Sequence, residues 1–218
     1  MARRPAGGVA ALRYRRALVR TAVSAAVAGW PIVPGAWWSG ADRRFVCDLT
    51  GCGRTGPHPA VRGPGMAVVD GDGLASQALR HPEAVAARWR HRPYAVLVPT
   101  GEACDVVDVP AETGRKLAVR LDARANLGPV IAAGSRWFLL TAPGGSEHAT
   151  TPDGDVLVHG RGSWIMLPPT LGPGGEPATW LARPRGTGWT LPRRDDVLLL
   201  LEGLRPAPAR DDTAPAGV

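Results

Sequence analysis

Lysine is nearly missing from this sequence: Lys116 is the single lysine among 26 basic residues. Cysteine is also scarce, at three in 218 residues, an odd number that argues against a disulfide framework and for a reducing compartment, so a cytoplasmic protein is expected. No apolar run reaches the roughly 18 residues that a membrane-spanning helix needs, and no membrane association is expected. The stretch RYRRALVR followed by TAVSAAVAGW has the outline of an export signal. Its apolar part is alanine-rich, Pro31 and Pro34 interrupt it early, and its arginines fall on one helical face rather than in a block, so it reads as an ordinary helix. The nucleophile motif Gly-x-Ser-x-Gly is missing, and His81, His91, His148 and His159 all sit in polar contexts, which leaves nucleophilic catalysis without support. Phenylalanine and tyrosine number two each against eight tryptophans. Trp37, Trp38, Trp180 and Trp189 lie in loop-like segments, where they serve either to stack bases or to pack beneath the loops.

What is present suits one sizeable core. The chain is 44% hydrophobic, and its length fits a single domain over 9–205 between a disordered basic N-terminus, 1–8, and a disordered tail, 206–218. The formal charge of +7 is concentrated at one end, because residues 1 to 20 hold six arginines and no acid while the remainder is almost balanced. That basic helix is either a solvated face or a surface for phosphate or an acidic partner. Apolar spacing predicts a helix over Val9 to Ala28 with Leu12, Val19, Val23 and Val27 as its inward stripe. A Gly/Pro-rich loop from Pro34 to about Gly73 follows, then a helix from Pro82 to Arg90. Tyr94 to Val98 and Cys104 to Val109 read as strands joined by the Pro99-Thr100-Gly101 turn and paired with each other. Further on, a helix over 111–125, a hairpin about Gly134, strands at 156–158 and 163–167, and a last helix over 195–204 complete an α+β pattern.

Asp105 and Asp108 are three apart, so on a strand of period two they point to opposite faces and cannot share a metal. An Asp-x-Asp pair would share a face, but the residue two after Asp108 is Pro110, which offers no ligand. Cys47, Cys52 and His58 have the residue types for zinc, with the alternative that they are ordinary loop residues, since the spacing is not a strong signature and no second Cys-x-x-Cys exists. Cys104 falls on an apolar strand and reads as a small core residue. Arg136 and Arg161 each sit in a glycine-flexed turn from which a guanidinium could reach phosphate.

The order of these pieces carries a resemblance. Ala28-Gly29-Trp30-Pro31-Ile32-Val33-Pro34-Gly35 is followed by Gly56-Pro57-His58-Pro59 and by a His81-Pro82-Glu83 helix containing Trp89. Next come Val98-Pro99-Thr100-Gly101, then Asp105-Val106-Val107-Asp108-Val109-Pro110 and Gly134-Ser135-Arg136-Trp137-Phe138-Leu139-Leu140. Trp164-Ile165-Met166-Leu167-Pro168-Pro169-Thr170 closes the series. Together, over about residues 10–205, they resemble the N-terminal domain of bifunctional DNA primase/polymerases, of the archaeo-eukaryotic primase superfamily, in a degenerate branch found in actinobacteria.

The resemblance implies an α+β fold with an RRM-like mixed sheet flanked by helices, and a parent activity of nucleotide polymerisation with Mg²⁺ or Mn²⁺. It places the metal-binding Asp-x-Asp on Asp108 and Pro110, the nucleotide-contacting histidine on Trp137 and a third acidic residue near Leu157, with Asp155 two positions early. Two-metal phosphoryl transfer depends on clustered carboxylates, so the expectation is a protein without polymerase chemistry that keeps nucleotide or DNA binding, through Arg136, Arg161, Thr100 and Gly101. Two alternatives stay open: a metal-dependent nucleotidyltransferase using Asp105, Asp108 and Asp155 in a shifted geometry, and a regulatory scaffold whose protein partner the sequence does not identify.

Overall fold

Three alanines, Ala22, Ala25 and Ala26, decide how the first helix meets the rest of the chain, because all are buried and small enough for close packing. The computed structural model describes residues 7–60, 72–122, 128–145, 149–150, 154–184 and 190–204. Residues 1–6, the tail beyond 204, His148 and Trp189 lie outside that description.

In chain order, α1 (Gly7–Val27) leads into β1 (Val33–Gly35), β2 (Trp37–Ser39) and β3 (Arg44–Val46). The helices α2 (Asp72–Ser76) and α3 (Pro82–His91) precede β4 (Ala95–Pro99), β5 (Asp105–Pro110) and α4 (Ala111–Asp122). The strands β6 (Val130–Ala133), β7 (Arg136–Thr141), β8 (Ala149–Thr150), β9 (Leu157–His159), β10 (Trp164–Met166) and β11 (Thr179–Ala182) follow, then α5 (Arg194–Glu202). Among the described residues the strands form a three-stranded sheet of order β1-β4-β10, a six-stranded sheet of order β11-β6-β7-β5-β9-β8 and the β2-β3 hairpin. The α+β class is as expected, and every described pairing is antiparallel.

The expected pairing of the 94–98 and 104–109 strands does not occur. Both neighbours of β4 are supplied by β1 and β10, and both neighbours of β5 by β7 and β9, so the two strands belong to different sheets. The segment expected to be loop from 34 to 73 contains β1's end, the β2-β3 hairpin and the first residues of α2. The strand at Thr179–Ala182 was likewise hidden, since its alternating exposure leaves little apolar signal.

The main core lies between the two larger sheets. Even-numbered residues Val96 and Val98 of β4 meet Val106 of β5, Ile131 and Leu140, with Leu18 and the buried alanines of α1 and Trp89 of α3 completing the cluster. On the far side of the six-stranded sheet, Val107, Val109 and Leu139 pack beneath Leu117 of α4 and Val197 and Leu201 of α5. Trp89 is fully buried, and its indole N–H donates to the Tyr94 carbonyl at 2.9 Å, so its one polar atom is satisfied.

The inward face of α1 differs from the expected stripe. Leu18, Ala22, Ala25 and Ala26 face the core, whereas Val9, Leu12 and Val27 are 66%, 48% and 71% exposed. Val19 and Val23 of the expected stripe are half-buried against the core, so the stripe is rotated rather than reversed: small alanines, which a count of large aliphatics overlooks, hold the most buried positions. Arg15 has a structural role there, donating to the Arg90 and His91 carbonyls at the end of α3, where a cation opposes the helix dipole.

Tryptophans from the loop-like segments pack rather than project. Trp37 stands edge-on to Tyr94 at 5.6 Å beneath the Arg92 guanidinium, Trp38 stands edge-on to Phe45 at 5.3 Å, and Trp180 of β11 lies against the main core.

Candidate functional site

At the centre of the six-stranded sheet, alternation along β5 sends Val106, Asp108 and Pro110 toward the other sheet and Asp105, Val107 and Val109 toward α4 and α5. The divergence of the two aspartates is therefore as period two requires. Asp105 is fully buried, accepts from the Gly144 N–H at 2.7 Å, and meets Arg194 Nη1 of α5 at 3.3 Å. It ties a helix to the sheet.

Asp108, 5% exposed, is held on both oxygens. Arg136 Nε donates to Oδ1 at 2.7 Å, and His159 Nε2 lies 3.2 Å from Oδ2. The same guanidinium donates through Nη2 to the Asp108 carbonyl at 3.1 Å and to the Asp155 carbonyl at 3.0 Å. His159 Nδ1 is 3.2 Å from Ser163 Oγ, so with the proton on Nε2 the ring donates to Asp108 and accepts from the serine hydroxyl. This row of serine, histidine and carboxylate has the order of a nucleophilic triad, but Arg136 occupies the same carboxylate and draws its charge away from the imidazole. The row serves as a clamp on Asp108.

Cross-strand register places the other expected positions. Leu157 is the direct partner of Asp108, and Pro110 is the partner of Arg136, so both lie on the Asp108 face and neither offers a ligand. Trp137 does not. Its partner is Val109, and its ring rests on Gly114 of α4, where a Cβ would come within 2.5 Å of it, so position 137 faces the helices rather than the cleft. On the cleft side the same strand presents Arg136. Asp155 is exposed at a bend and contributes its backbone carbonyl. His159, passed over as a polar-context histidine, is the residue that sequence reasoning missed. Its position two after Leu157 on one strand was the available signal.

Thr100, Gly101 and Arg161 are brought together. The chain crosses from β4 to β5 through 100–104 and from β9 to β10 through 160–163, and the two crossings are bonded: Thr100 N–H donates to Ser163 O at 3.0 Å and Thr100 Oγ1 to Gly160 O at 2.5 Å. Gly101 has φ +92, and a Cβ on it would fall 2.5 Å from Arg161 Cα, so both its conformation and its clearance require glycine. Beside this corner is a cleft of about 160 Å³ lined by Thr100, Gly101, Glu102, Arg161, Gly162 and Ser163. Arg80 forks onto Glu102 at 2.6 and 2.8 Å, and that hydrogen bond lowers the Glu102 pKa and balances its charge. Exposed Arg161 then leaves the cleft favourable to an anion. Arg136 is not part of it.

Divalent ions of the kind the resemblance implies need clustered oxygen ligands. Asp108 is engaged by two nitrogen groups, its neighbours are Pro110 and Leu157, and Asp105 lies on the opposite face, so this residue set does not fit a pair of such ions. Among the described residues the one group of three Cys, His or acidic side chains whose ligand atoms converge is Cys47, Cys52 and His58, all within 4.8 Å of one another. No described helix is long and apolar enough to cross a membrane.

A comparison with curated proteins finds no match. The motifs that carried the resemblance lie on two antiparallel sheets enclosing a shared core, with Asp108 on a central strand and a glycine corner beside it, in place of the single mixed sheet expected. Residues 22–208 match the family model of the bifunctional DNA primase/polymerase N-terminal domain, which is most of the chain, and the chain belongs to that family.

Proposed function

We propose that this cytoplasmic domain has given up metal-dependent polymerisation and keeps an affinity for the phosphates of nucleotides or single-stranded DNA at the Thr100-Gly101-Arg161 corner. The observation that carries the reading is the saturation of Asp108 by Arg136 and His159. A guanidinium already supplies the positive charge that a divalent ion would bring to that carboxylate, so binding a cation there would first require displacing Arg136. The size of the corner cleft favours phosphate over a whole nucleotide: about 160 Å³ is well below the ~300 Å³ at which ordinary small-molecule pockets begin. The nucleotide-transferring alternative is disfavoured by the burial of Asp105 under Arg194, away from Asp108.

The deciding experiment is primer synthesis and extension with Mg²⁺ or Mn²⁺, alongside binding of labelled single-stranded DNA across a salt series. Expected are no product above the Asp108→Ala background and DNA binding independent of divalent ions. Affinity should fall steeply with salt and by roughly tenfold in Arg161→Ala, in line with one lost charge-assisted contact. Turnover abolished by Asp108→Ala would overturn the loss of chemistry. Absence of any DNA or nucleotide affinity would instead support a scaffold, for which the exposed basic face of α1 with Arg16 and Arg20 is the available docking surface.

A further inference from the structure

A second centre lies away from Asp108, where the chain leaves the β2-β3 hairpin. Cys47 directly follows β3, and a turn closed by Cys52 N–H donating to Leu49 O at 3.2 Å brings Cys52 back beside it. Gly51 at φ +74 permits that turn. The chain then reverses at Gly56, with φ +80, and presents His58, whose side chain is buried. His58 Nδ1 is 2.9 Å from the Gly56 carbonyl, which fixes the proton on Nδ1 and leaves the Nε2 lone pair facing Cys52 Sγ at 3.3 Å.

That is the arrangement of a metal-binding histidine: one ring nitrogen oriented by a backbone carbonyl, the other turned toward a cysteine sulfur. We infer that Cys47, Cys52 and His58 form a zinc site, with solvent as the fourth ligand of a tetrahedron. All three ligand atoms already lie within 4.8 Å of one another. A tetrahedron with zinc–sulfur bonds of ~2.3 Å and zinc–nitrogen bonds of ~2.0 Å has edges of about 3.5–3.8 Å, so closure requires movements of an ångström or less. Two thiolates and an imidazole select a soft or borderline ion over Mg²⁺ or Ca²⁺, and the set is one thiolate pair short of an iron–sulfur centre. The third cysteine, Cys104, is fully buried in the main core and takes no part.

The location gives the metal a structural task. Beyond His58 the backbone is registered to the sheet edge, through Ala36 N–H to His58 O at 2.8 Å and Ala60 N–H to Pro34 O at 2.9 Å, while Cys47 and Cys52 are only half buried. A zinc ion would fasten the exposed hairpin and its turn to that edge, where few apolar side chains are available to do so.

The test uses the whole chain, reduced and stripped of metal with a chelator, and titrated with Co²⁺ and then Zn²⁺. Expected are one Co²⁺ per chain with a thiolate charge-transfer band and tetrahedral ligand-field absorption, both erased by one equivalent of Zn²⁺. The band should be lost in Cys47→Ser and in Cys52→Ser, which are half-exposed positions that leave the core intact, and retained in Cys104→Ser. A proteolysis rate within the 40–56 segment that falls on adding Zn²⁺ provides a readout without spectroscopy. Absence of the tetrahedral spectrum, its persistence in the Cys47→Ser/Cys52→Ser double variant, or a Cys47–Cys52 disulfide that forms as readily with Zn²⁺ as without it would overturn the assignment.

Discussion

Cys104 illustrates how far burial alone can change a residue's chemistry. It is fully enclosed beside β5, and desolvation, with a smaller contribution from the Asp105 charge, pushes its thiol up from 9.0 to about 12. In metal-free native protein at pH 8 a water-soluble thiol reagent should modify Cys47 and Cys52 and leave Cys104 untouched until denaturant is added; three reactive thiols under native conditions would contradict the burial. The linkage has a definite sign. An unfolded chain releases the Cys104 proton near pH 9 and the folded chain does not, so stability should decline as pH rises from about 9 toward 12, and less so in Cys104→Ala. At this same scale the sequence made some features of the site visible and hid others. The opposed directions of Asp105 and Asp108 follow from strand period alone. The hold of His159 on Asp108 spans 51 positions and exists only because β9 pairs with β5, a fact that local pattern does not contain. Trp137 shows the converse: a motif match located the position, and only the register of β7 revealed that its side chain turns toward α4.

Among the elements, α1 separates propensity from packing. Helix formation over Gly7–Val27 was legible from apolar spacing and the absence of interior proline, with the end set by Gly29 at φ +84. Its rotation about its own axis was not. The spacing suggested Leu12, Val19, Val23 and Val27; Val19 and Val23 do pack against the core, but Leu12 and Val27 are exposed, and the fully buried positions are Leu18, Ala22, Ala25 and Ala26, three of them small. The two faces should respond in opposite ways to substitution. Ala25→Leu forces a branched side chain into a fully buried core position and is expected to destabilise by about 1–3 kcal/mol, whereas Leu12→Ser on the exposed face should stay within ~0.5 kcal/mol. Urea unfolding of both variants checks this, and an equal loss in each would return the helix to the orientation first expected. The missed β2-β3 hairpin has a similar origin: strands of three residues are too short to establish a period, and they were read as loop.

For the whole molecule, the α+β class was readable from the alternation of elements, but the division into two sheets was not, because two of the three passages between the sheets, β4 to β5 and β9 to β10, run through short, turn-like segments that look like hairpins in sequence. Those segments meet at Gly101 and Arg161. Gly101→Ala should cost at least about 2 kcal/mol, since it combines a left-handed backbone with a Cβ placed 2.5 Å from Arg161 Cα. Gly29→Ala, with φ +84 and open space around it, bears only the conformational part, about 1 kcal/mol. Thermal melts of the two variants side by side distinguish close approach from backbone strain, and equal losses would mean that the corner has room to relax.

That double crossing has a mechanical consequence. Two sheets joined by one strand-to-strand segment could swing about it, but two segments bonded to each other through Thr100, Gly160 and Ser163 act as a rivet rather than a pivot. The bonded crossings and the side chains of the main core then fix the spacing between the sheets together. His159, bonded to both Asp108 and Ser163, links the Asp108 clamp to that corner, so filling the neighbouring cleft is expected to leave the distances among Asp108, Arg136 and His159 unchanged.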